Sequence, residues 1–416
     1  MSSKVVQSLH SKYMAEYSKN PLCTLLITIV ATIVVADFVF IVLTRGDWFY
    51  QLLYFKNTEV LMDFFNSVMY SMEDQYGYWG IIYPPLITVF YGLIGRFSLP
   101  YTVVTGTRDL AYDLRDSQVC MMYFLVILIL SLYLIHLFYQ KVLSEKIGQR
   151  HVEALFLLTL LSAPVIFAIT RGNSITLCIA FCFMFILGYR SENRVIRYAS
   201  YVALGCAAGI KIAPALLAIL ILRERKYKEF VICAVIVSVL FIAPFAFTDG
   251  NILMLLHNIT SDVSESTGNA LISIQDMIAG LGKYIGTDLV GPLQVVVIAI
   301  ISLLSAFVVL FDRSMKHWKV LVIAIGCMSL CYSTGVMYVF CYMFIPMAYF
   351  IAEERSLTKT NVISMLMFTT IMMLLPWPVI RSVMILAVMA VLIYEGFTTI
   401  IRTRTLGSST GSENSS

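Results

Sequence analysis

The feature that most constrains this chain is a series of long apolar runs. The first, at 21–44, follows a polar lead and holds a single charged residue, Asp37. A membrane-spanning helix needs about 20 apolar residues. Over the whole chain 59% of the residues are hydrophobic and 13% are charged, whereas soluble domains have about a quarter charged residues. The sequence therefore predicts an all-α polytopic membrane protein, and it excludes a soluble enzyme, a nucleic-acid binder and a disordered scaffold.

The runs form one predicted domain, 1–402, with no internal repeat. We expect about 11–13 membrane helices, counting short and re-entrant ones. Long polar stretches at 45–118 and 249–288 are predicted to be loops on the outer face, and the Ser/Gly-rich tail 403–416 is predicted to be disordered. The predicted helices lie near 21–44, 119–140, 153–170, 174–190, 229–248, 289–311, 319–334, 336–352, 360–376 and 379–399.

Basic residues set the predicted orientation through the positive-inside rule. Most of the 29 basic residues fall on one face if the N-terminus is cytoplasmic and the apolar piece 79–95 does not cross. A crossing at 79–95 would place most basic loops outside. We therefore expect a multi-pass protein of the cell membrane with both termini in the cytoplasm and 79–95 at the membrane surface.

Residues 198–222 are apolar but lie between two basic clusters, RSENRVIR and RERKYK. Both clusters are predicted to be cytoplasmic, and this length cannot cross twice as full helices at 1.5 Å per residue. A hairpin with its tip at 209–214 satisfies both conditions. Lys211 lies at this tip, and a lysine within an apolar segment is costly and therefore typically functional. Gly205 and Gly209 have the spacing that permits close helix approach.

An acid stands out in the first outer loop. Asp63 lies among aromatic and apolar residues, followed by Asn66 and then by the segment Tyr83-Pro84-Pro85. A carboxylate in such surroundings can act as a general base toward a hydroxyl group. The alternative is an ordinary solvated acid. We interpret four other acids in this way: Asp47, Glu59, Glu73 and Asp74.

Arg171 lies on the outer face, which is otherwise acidic, and Asn173 follows it in a tight turn. Arg171 could bind a phosphate, or it could extend to lipid headgroups. Together with Lys211 it would form a pair of cations that stabilises a phosphate leaving group, and such a pair requires no metal. His257 and Asn258 in the second outer loop are further candidate substrate contacts.

Other classes of site are not indicated. The nine cysteines lie in or beside apolar runs, which favours buried thiols over a zinc site or disulfides. Nucleotide-binding and metalloprotease motifs do not occur. The energy for any reaction must therefore arrive in an activated substrate.

In order along the chain, these motifs resemble the GT-C superfamily of membrane glycosyltransferases, and most closely glycosyltransferase family 87. The resemblance covers about residues 20–250 and includes Asp63-Phe64, Tyr83-Pro84-Pro85, Gly172-Asn173 and a Gly-rich run that leads to Lys211 and Pro214. The later Ser-Trp-x-His type of motif is replaced by 331–338, CYSTGVMY.

The resemblance implies inverting transfer of a hexose, mannose above all, from a polyprenyl-phosphate sugar to a glycolipid or glycan acceptor. Asp63 would then be the base, and Lys211 and Arg171 would face the donor phosphate. Asn66, Tyr83, Asn173, His257 and Asn258 would contact substrate. No cofactor or nucleic acid is implied, since the lipid-linked sugar is a substrate. A lipid-linked glycan polymerase, a flippase or secondary transporter, and a non-catalytic membrane subunit remain the alternatives.

Overall fold

The computed structural model describes residues 14, 20–49, 59–264, 272–286, 291–332, 336–375 and 377–409. Within these ranges the chain is helical and contains no strand. The helices are α1 Pro21–Leu43, α2 Met62–Tyr70, α3 Pro85–Ser98, α4 Leu110–Asp116, α5 Gln118–Ile147, α6 Gln149–Leu160, α7 Ala163–Arg171, α8 Ile175–Gly188, α9 Arg194–Ile210, α10 Ile219–Arg223, α11 Tyr227–Ile242, α12 Ile252–Ser264, α13 Ile274–Ile285, α14 Pro292–Phe311, α15 His317–Cys331, α16 Phe344–Glu353, α17 Lys359–Met372 and α18 Pro378–Ser409.

Five helices of the described chain are long and apolar enough to cross a membrane. A sixth span results if α6 and α7, which meet at 55°, are counted as one broken helix. These spans confirm an all-α polytopic membrane protein. Of the remaining predicted spans, 174–190, 319–334 and 336–352 correspond to the shorter apolar helices Ile175–Gly188, His317–Cys331 and Met337–Glu353, and 360–376 corresponds to α17.

The two predicted outer loops contain helices of their own. The stretch 45–118 holds α2, α3 and α4, and 249–288 holds α12 and α13. Helix α3 has 14 residues, or about 21 Å, which is shorter than the roughly 30 Å of a bilayer core. Helix α8, a predicted span, has the same length, so the position of 79–95 at the membrane surface stays a prediction.

The last helix extends further than the sequence predicts. Instead of ending before the tail at 403, α18 continues to Ser409. The Thr403 hydroxyl bonds back to the carbonyl of Thr399, as it does within a regular helix. Residues 410–416 of the predicted disordered tail lie outside the described residues.

The hairpin predicted at 198–222 has its break at Lys211. Helix α9 ends at Ile210, and Lys211 is extended, with φ −140° and ψ 132°. A 3-10 turn, Ala213–Ala218, then leads into α10. Pro214 lacks an N–H and restricts the residue before it, so the α-helix cannot continue through this point. The break fixes Lys211 at the end of a helix.

The core lies around α8 and α15, whose side chains are largely buried on all sides. Phe183 of α8 stacks on Phe138 of α5, with ring centroids 3.8 Å apart. Trp318 near the start of α15 is fully buried. Helices buried all round in this way are typical of the centre of a membrane bundle. The candidate site lies where α8 begins.

Two acids lie within membrane helices, where a charged group is costly unless it is paired. Glu395 of α18 accepts hydrogen bonds from Lys319, at 2.7 Å, and from Thr360, at 2.6 Å. Asp37 of α1 is buried near Trp48 and the backbone of Leu374. Glu395 thus ties α15, α17 and α18 together.

Candidate active site

The Asp63 carboxylate accepts three hydrogen bonds at the start of α2. Arg171 donates to Oδ1 through Nε, at 2.9 Å, and through Nη2, at 2.6 Å. Asn173 donates to Oδ2 at 2.9 Å. The N-terminal end of α2 also favours a negative charge in its first turn. The Asp63 side chain is 14% exposed, so it is both held in place and open to a ligand.

A close backbone contact brings the two segments of this site together. The N–H of Leu61 donates to the carbonyl oxygen of Thr170, at 2.7 Å. Gly172 ends α7 in the left-handed region, with φ 71°. A Cβ at Gly172 would lie 2.8 Å from the carbonyl oxygen of Leu61. Glycine is therefore required here both for the turn and for the approach of α7 to α2.

Asn173 is oriented by its own helix. Its Oδ1 accepts a hydrogen bond from the N–H of Ile175, at 3.1 Å, at the start of α8. Because the amide oxygen is engaged there, the Nδ2 group is the one that points at Asp63. The side chain therefore acts as a fixed donor to Oδ2.

Arg171 also binds a second carboxylate. Its Nη1 lies 2.5 Å from Oε2 of Glu59, so one guanidinium bridges Glu59 and Asp63. The sequence predicts Arg171 as one of two cations for a donor phosphate, and it predicts Glu59 as a solvated acid. The geometry instead directs the Arg171 charge to two acids of this protein, because α7 ends directly against the segment that precedes α2.

Lys211 lies over two aromatic rings. Its Nζ is 4.4 Å from the ring centroid of Tyr83 and 5.2 Å from that of Tyr338. None of the ion pairs in the described chain includes Lys211. Ring faces stabilise a cation without neutralising its charge. Within the described residues, Lys211 therefore remains a cation that can bind an anionic ligand.

Tyr83 connects Lys211 to the carboxylate. Burial raises the pKa of the Tyr83 phenol, and the Asp63 charge raises it further, while hydrogen bonding by Ser67 and Asn173 lowers it. The phenol therefore stays protonated and can donate a hydrogen bond. Asp63, Arg171, Asn173, Tyr83 and Lys211 thus lie in one connected group, although they come from distant parts of the chain.

The other predicted contacts are placed differently. Asn66 is partly exposed one turn after Asp63 and forms no hydrogen bond within the described residues. Asn258 donates to the carbonyl oxygens of Tyr76 and Ile81, at 3.0 and 3.2 Å, and so holds the first outer loop against α12. His257 is exposed. Of these three, Asn66 is the one beside the carboxylate.

Two residues of the site are missed by the sequence interpretation. Glu59 lies four residues before Asp63 but outside α2, which begins at Met62 after Leu61 in the left-handed region, so helical spacing does not relate the two acids. Tyr338 is buried in the 3-10 helix Met337–Met343. Its contact with Lys211 depends on tertiary packing, which a local sequence pattern does not encode.

An apolar crevice lies directly beside the carboxylate. It runs between α3, α5 and the start of α8, and it reaches Asn173. Phe90 is 40% exposed at its edge. Its lining includes Phe64, Phe90, Phe124, Ile127, Leu128 and Ile169. The free space between these side chains is only about 10 Å³, so the crevice is a patch of apolar packing beside the site rather than an open path.

The fold and site define a polytopic helical membrane protein with a charged site beside an apolar crevice. Residues 81–334 match the family model of glycosyltransferase family 87. Because this match includes more than half of the chain, the protein belongs to that family and is a membrane glycosyltransferase. Asp63 and Asn66 precede the matched residues, whereas Arg171, Asn173 and Lys211 lie within them. No curated protein matches the chain.

Proposed function

We propose that this protein transfers a hexose, mannose by the family resemblance, from a polyprenyl-phosphate sugar to a glycan or glycolipid. The transfer takes place on the extracytoplasmic face of the cell membrane, with both termini in the cytoplasm. The observation that supports this proposal best is the oriented Asp63 carboxylate, which Tyr83 links to Lys211. A carboxylate and a cation held in this way suit the attacking and leaving groups of a glycosyl transfer.

Asp63 is the proposed general base. A carboxylate offers about four lone-pair positions, and two donors occupy Oδ1 while one occupies Oδ2. The remaining position on Oδ2 accepts the proton of the acceptor hydroxyl. The hydroxyl oxygen then bonds to the anomeric carbon. Arg171 and Asn173 keep Oδ2 aimed at this hydroxyl.

Lys211 is the proposed partner of the leaving group. As the bond between the anomeric carbon and the phosphate oxygen breaks, the electron pair leaves with the polyprenyl phosphate. The ammonium group of Lys211 stabilises this developing negative charge, while the Tyr83 and Tyr338 rings fix its position. One displacement on the face opposite the phosphate inverts the anomeric centre.

A lipid-linked donor agrees with the surroundings of the site. The apolar side chains that line the crevice beside Asn173 would have to separate to admit the isoprenoid chain, and Lys211 would then bind its phosphate. A soluble nucleotide sugar would have no use for such a crevice. This reasoning favours a donor that enters sideways from the membrane.

The test is a donor assay on purified protein with radiolabelled polyprenyl-phosphate mannose and a membrane extract as acceptor. We expect Asp63→Asn to lower transfer by about a thousandfold, since a positioned base contributes 10²–10⁴-fold. Lys211→Ala should lower it by at least about a hundredfold, a loss similar to that of one charge-stabilising donor.

The matched controls are Glu145→Gln and Lys228→Ala, which change exposed residues outside the site and should leave transfer unchanged. Full activity of Asp63→Asn would show that Asp63 is not the general base. A wild-type protein inactive toward mannose, glucose and arabinose donors would refute the proposal. Such a result would favour a flippase or transporter, and extension of a lipid-linked glycan would indicate a polymerase.

A further inference from the structure

Three aromatic rings form a cluster in the first outer loop. The Trp79 ring stacks on Tyr70 with centroids 4.4 Å apart and planes 27° apart. The Tyr78 ring meets Trp79 edge to face at 4.8 Å. Tyr78 is 78% exposed. The cluster therefore presents aromatic surface to the outer side of the protein, where solvation alone would favour polar residues.

The loop that carries Tyr78 and Trp79 is held by several hydrogen bonds. The N–H of Tyr78 donates to Oδ2 of Asp74, at 2.9 Å. The N–H of Ile81 donates to the carbonyl of Gln75, at 3.1 Å. Asn258 of α12 donates to the carbonyl of Ile81. The aromatic surface is thus preorganised, which lowers the entropy lost when a ligand binds.

Gly77 shows how closely this loop is packed. A Cβ at Gly77 would lie 2.4 Å from Oδ1 of Asp74. Asp74 itself has a positive φ of 25°. An unusual backbone at a non-glycine residue persists only where its surroundings impose it. The loop therefore has one defined shape, and that shape displays Tyr78 and Trp79.

The cluster is aligned with the catalytic carboxylate. Asp63, Asn66 and Tyr70 occupy positions i, i+3 and i+7 of α2, which lie on one face of a helix. They are also the residues of α2 that are not buried. The face extends about 10 Å from Asp63 to Tyr70. A sugar ring or two can lie along this distance.

The chemistry of this face suits a neutral saccharide. Sugar rings have apolar C–H faces that pack on aromatic rings, and hydroxyls that bond to amides and carboxylates. Asn66 offers an amide. Burial raises the pKa of the Tyr70 phenol, and the charge of Asp109 raises it further, so Asp109 lies near this ring. The exposed acids Glu73 and Asp74 would repel the phosphate of a lipid headgroup.

We infer that Asn66, Tyr70, Tyr78 and Trp79 form the acceptor site, which holds a neutral saccharide along α2 with its reacting hydroxyl at Asp63. This inference rests on the proposed transferase function and names its acceptor class. The acceptor is a saccharide that already contains at least one sugar ring beyond the reacting one. The aromatic cluster binds that ring, while the donor lies on the Lys211 side.

The test combines binding and kinetics on the full-length purified protein in detergent. Mannobiose, cellobiose and maltotriose serve as neutral probes. Saturation-transfer NMR measures probe binding and needs no catalysis. We expect Tyr78→Ala and Trp79→Ala to weaken binding of the preferred probe and to raise its KM as acceptor by about tenfold, the loss expected for one aromatic contact. Tyr101→Ala and Tyr284→Ala, which change tyrosines that are 70% and 90% exposed elsewhere, should leave both values unchanged.

The outcomes separate this inference from the proposed function. If the donor is consumed but Tyr78→Ala and Trp79→Ala bind the probes as the wild type does, the acceptor site is refuted and the transferase proposal stands. If no donor is consumed but the probes bind and both variants lose binding, the saccharide site stands and the transferase proposal fails.

Discussion

The guanidinium of Arg171 bonds two carboxylates at once. Its Nε and Nη2 meet Asp63 while its Nη1 meets Glu59. A planar group with donors along two edges can do this, whereas the compact ammonium of a lysine cannot. Arg171 therefore serves to fix the direction in which Oδ2 of Asp63 points.

The variant Arg171→Lys tests this positioning role. Lysine keeps the charge but loses the second donor to Asp63, so we expect kcat to fall by about a hundredfold, as small misplacements of a catalytic group do. The donor KM should change little, because the proposed phosphate contact is Lys211. Arg96→Lys, on the exposed side of α3, is the control. A large rise in donor KM with kcat unchanged would instead show that Arg171 binds the donor phosphate.

Gly172 and Gly106 permit a matched pair of alanine variants. Both have a positive φ, 71° and 66°, but only at Gly172 would a Cβ meet the backbone of Leu61. Gly106→Ala should cost about 1 kcal/mol of folding free energy through backbone conformation. Gly172→Ala should cost more and lower transferase activity as well. Thermal unfolding in detergent measures the stability of the two variants. Equal losses in Tm would contradict the close contact between Gly172 and Leu61.

At the scale of elements, Glu354 joins the ends of three helices. Its carboxylate accepts hydrogen bonds from Lys316 and Trp318, both at 2.8 Å, and from Asn361, at 3.1 Å. These donors lie at or just before the starts of α15 and α17, while Glu354 follows α16. Loss of the carboxylate would leave the buried Nε1 of Trp318 without its acceptor, whereas Asn361 also donates to the carbonyl of Ser356.

We expect Glu354→Gln to destabilise the protein by about 2 kcal/mol, because hydrogen bonds to a charged group are strong. Burial raises the pKa of the Glu354 carboxyl, but hydrogen bonds from Lys316, Trp318 and Asn361 outweigh it, so the pKa is lowered. A lowered pKa means that this stabilisation is complete above the unfolded carboxyl pKa, about 4.3. It is then lost as the pH falls through the folded value.

Thermal unfolding of wild type and Glu354→Gln across pH 3–7 measures this contribution. The difference in Tm between the two proteins should be largest near neutral pH and should shrink toward the acid end. Glu145→Gln, at an exposed position of α5, should match the wild type throughout. A Tm difference that does not depend on pH would show that the charge of Glu354 is unimportant.

The sequence predicts breaks within elements better than contacts between them. The end of α9 at Lys211 follows from the length available between two basic clusters, together with Pro214. Glu395, by contrast, can be identified as a costly intramembrane acid, but its partner Lys319 is 76 residues away. A pairing of that kind depends on how helices pack, and local spacing does not encode it.

The same division applies to the site. The sequence indicates Asp63 and Arg171 as outer-face residues, each with a role, because an acid among aromatics and a cation on an acidic face are locally unusual. It does not pair them, since they lie 108 residues apart. The clamp predicted from two cations is therefore replaced by an arginine that binds two acids.

At the scale of the whole molecule, the predicted orientation can be tested with single cysteines. Thr107→Cys in the first outer loop should react with a membrane-impermeant maleimide on intact cells. Glu192→Cys, between α8 and α9, should react only after the cells are opened. Both positions are exposed, and most native cysteines are buried, so background labelling is low. The reverse pattern would place the termini outside.

The contact between Leu61 and Gly172 also sets when the enzyme becomes competent during its synthesis. A nascent chain that has been synthesised only as far as α2 already contains Asp63, but Arg171 and Asn173 have not yet been added. The Asp63 carboxylate then lacks the hydrogen bonds that orient it. Only when α7 and α8 enter the membrane does the turn at Gly172 close on Leu61. A chain stalled before α7 thus carries an Asp63 carboxylate that lacks the donors of Arg171 and Asn173.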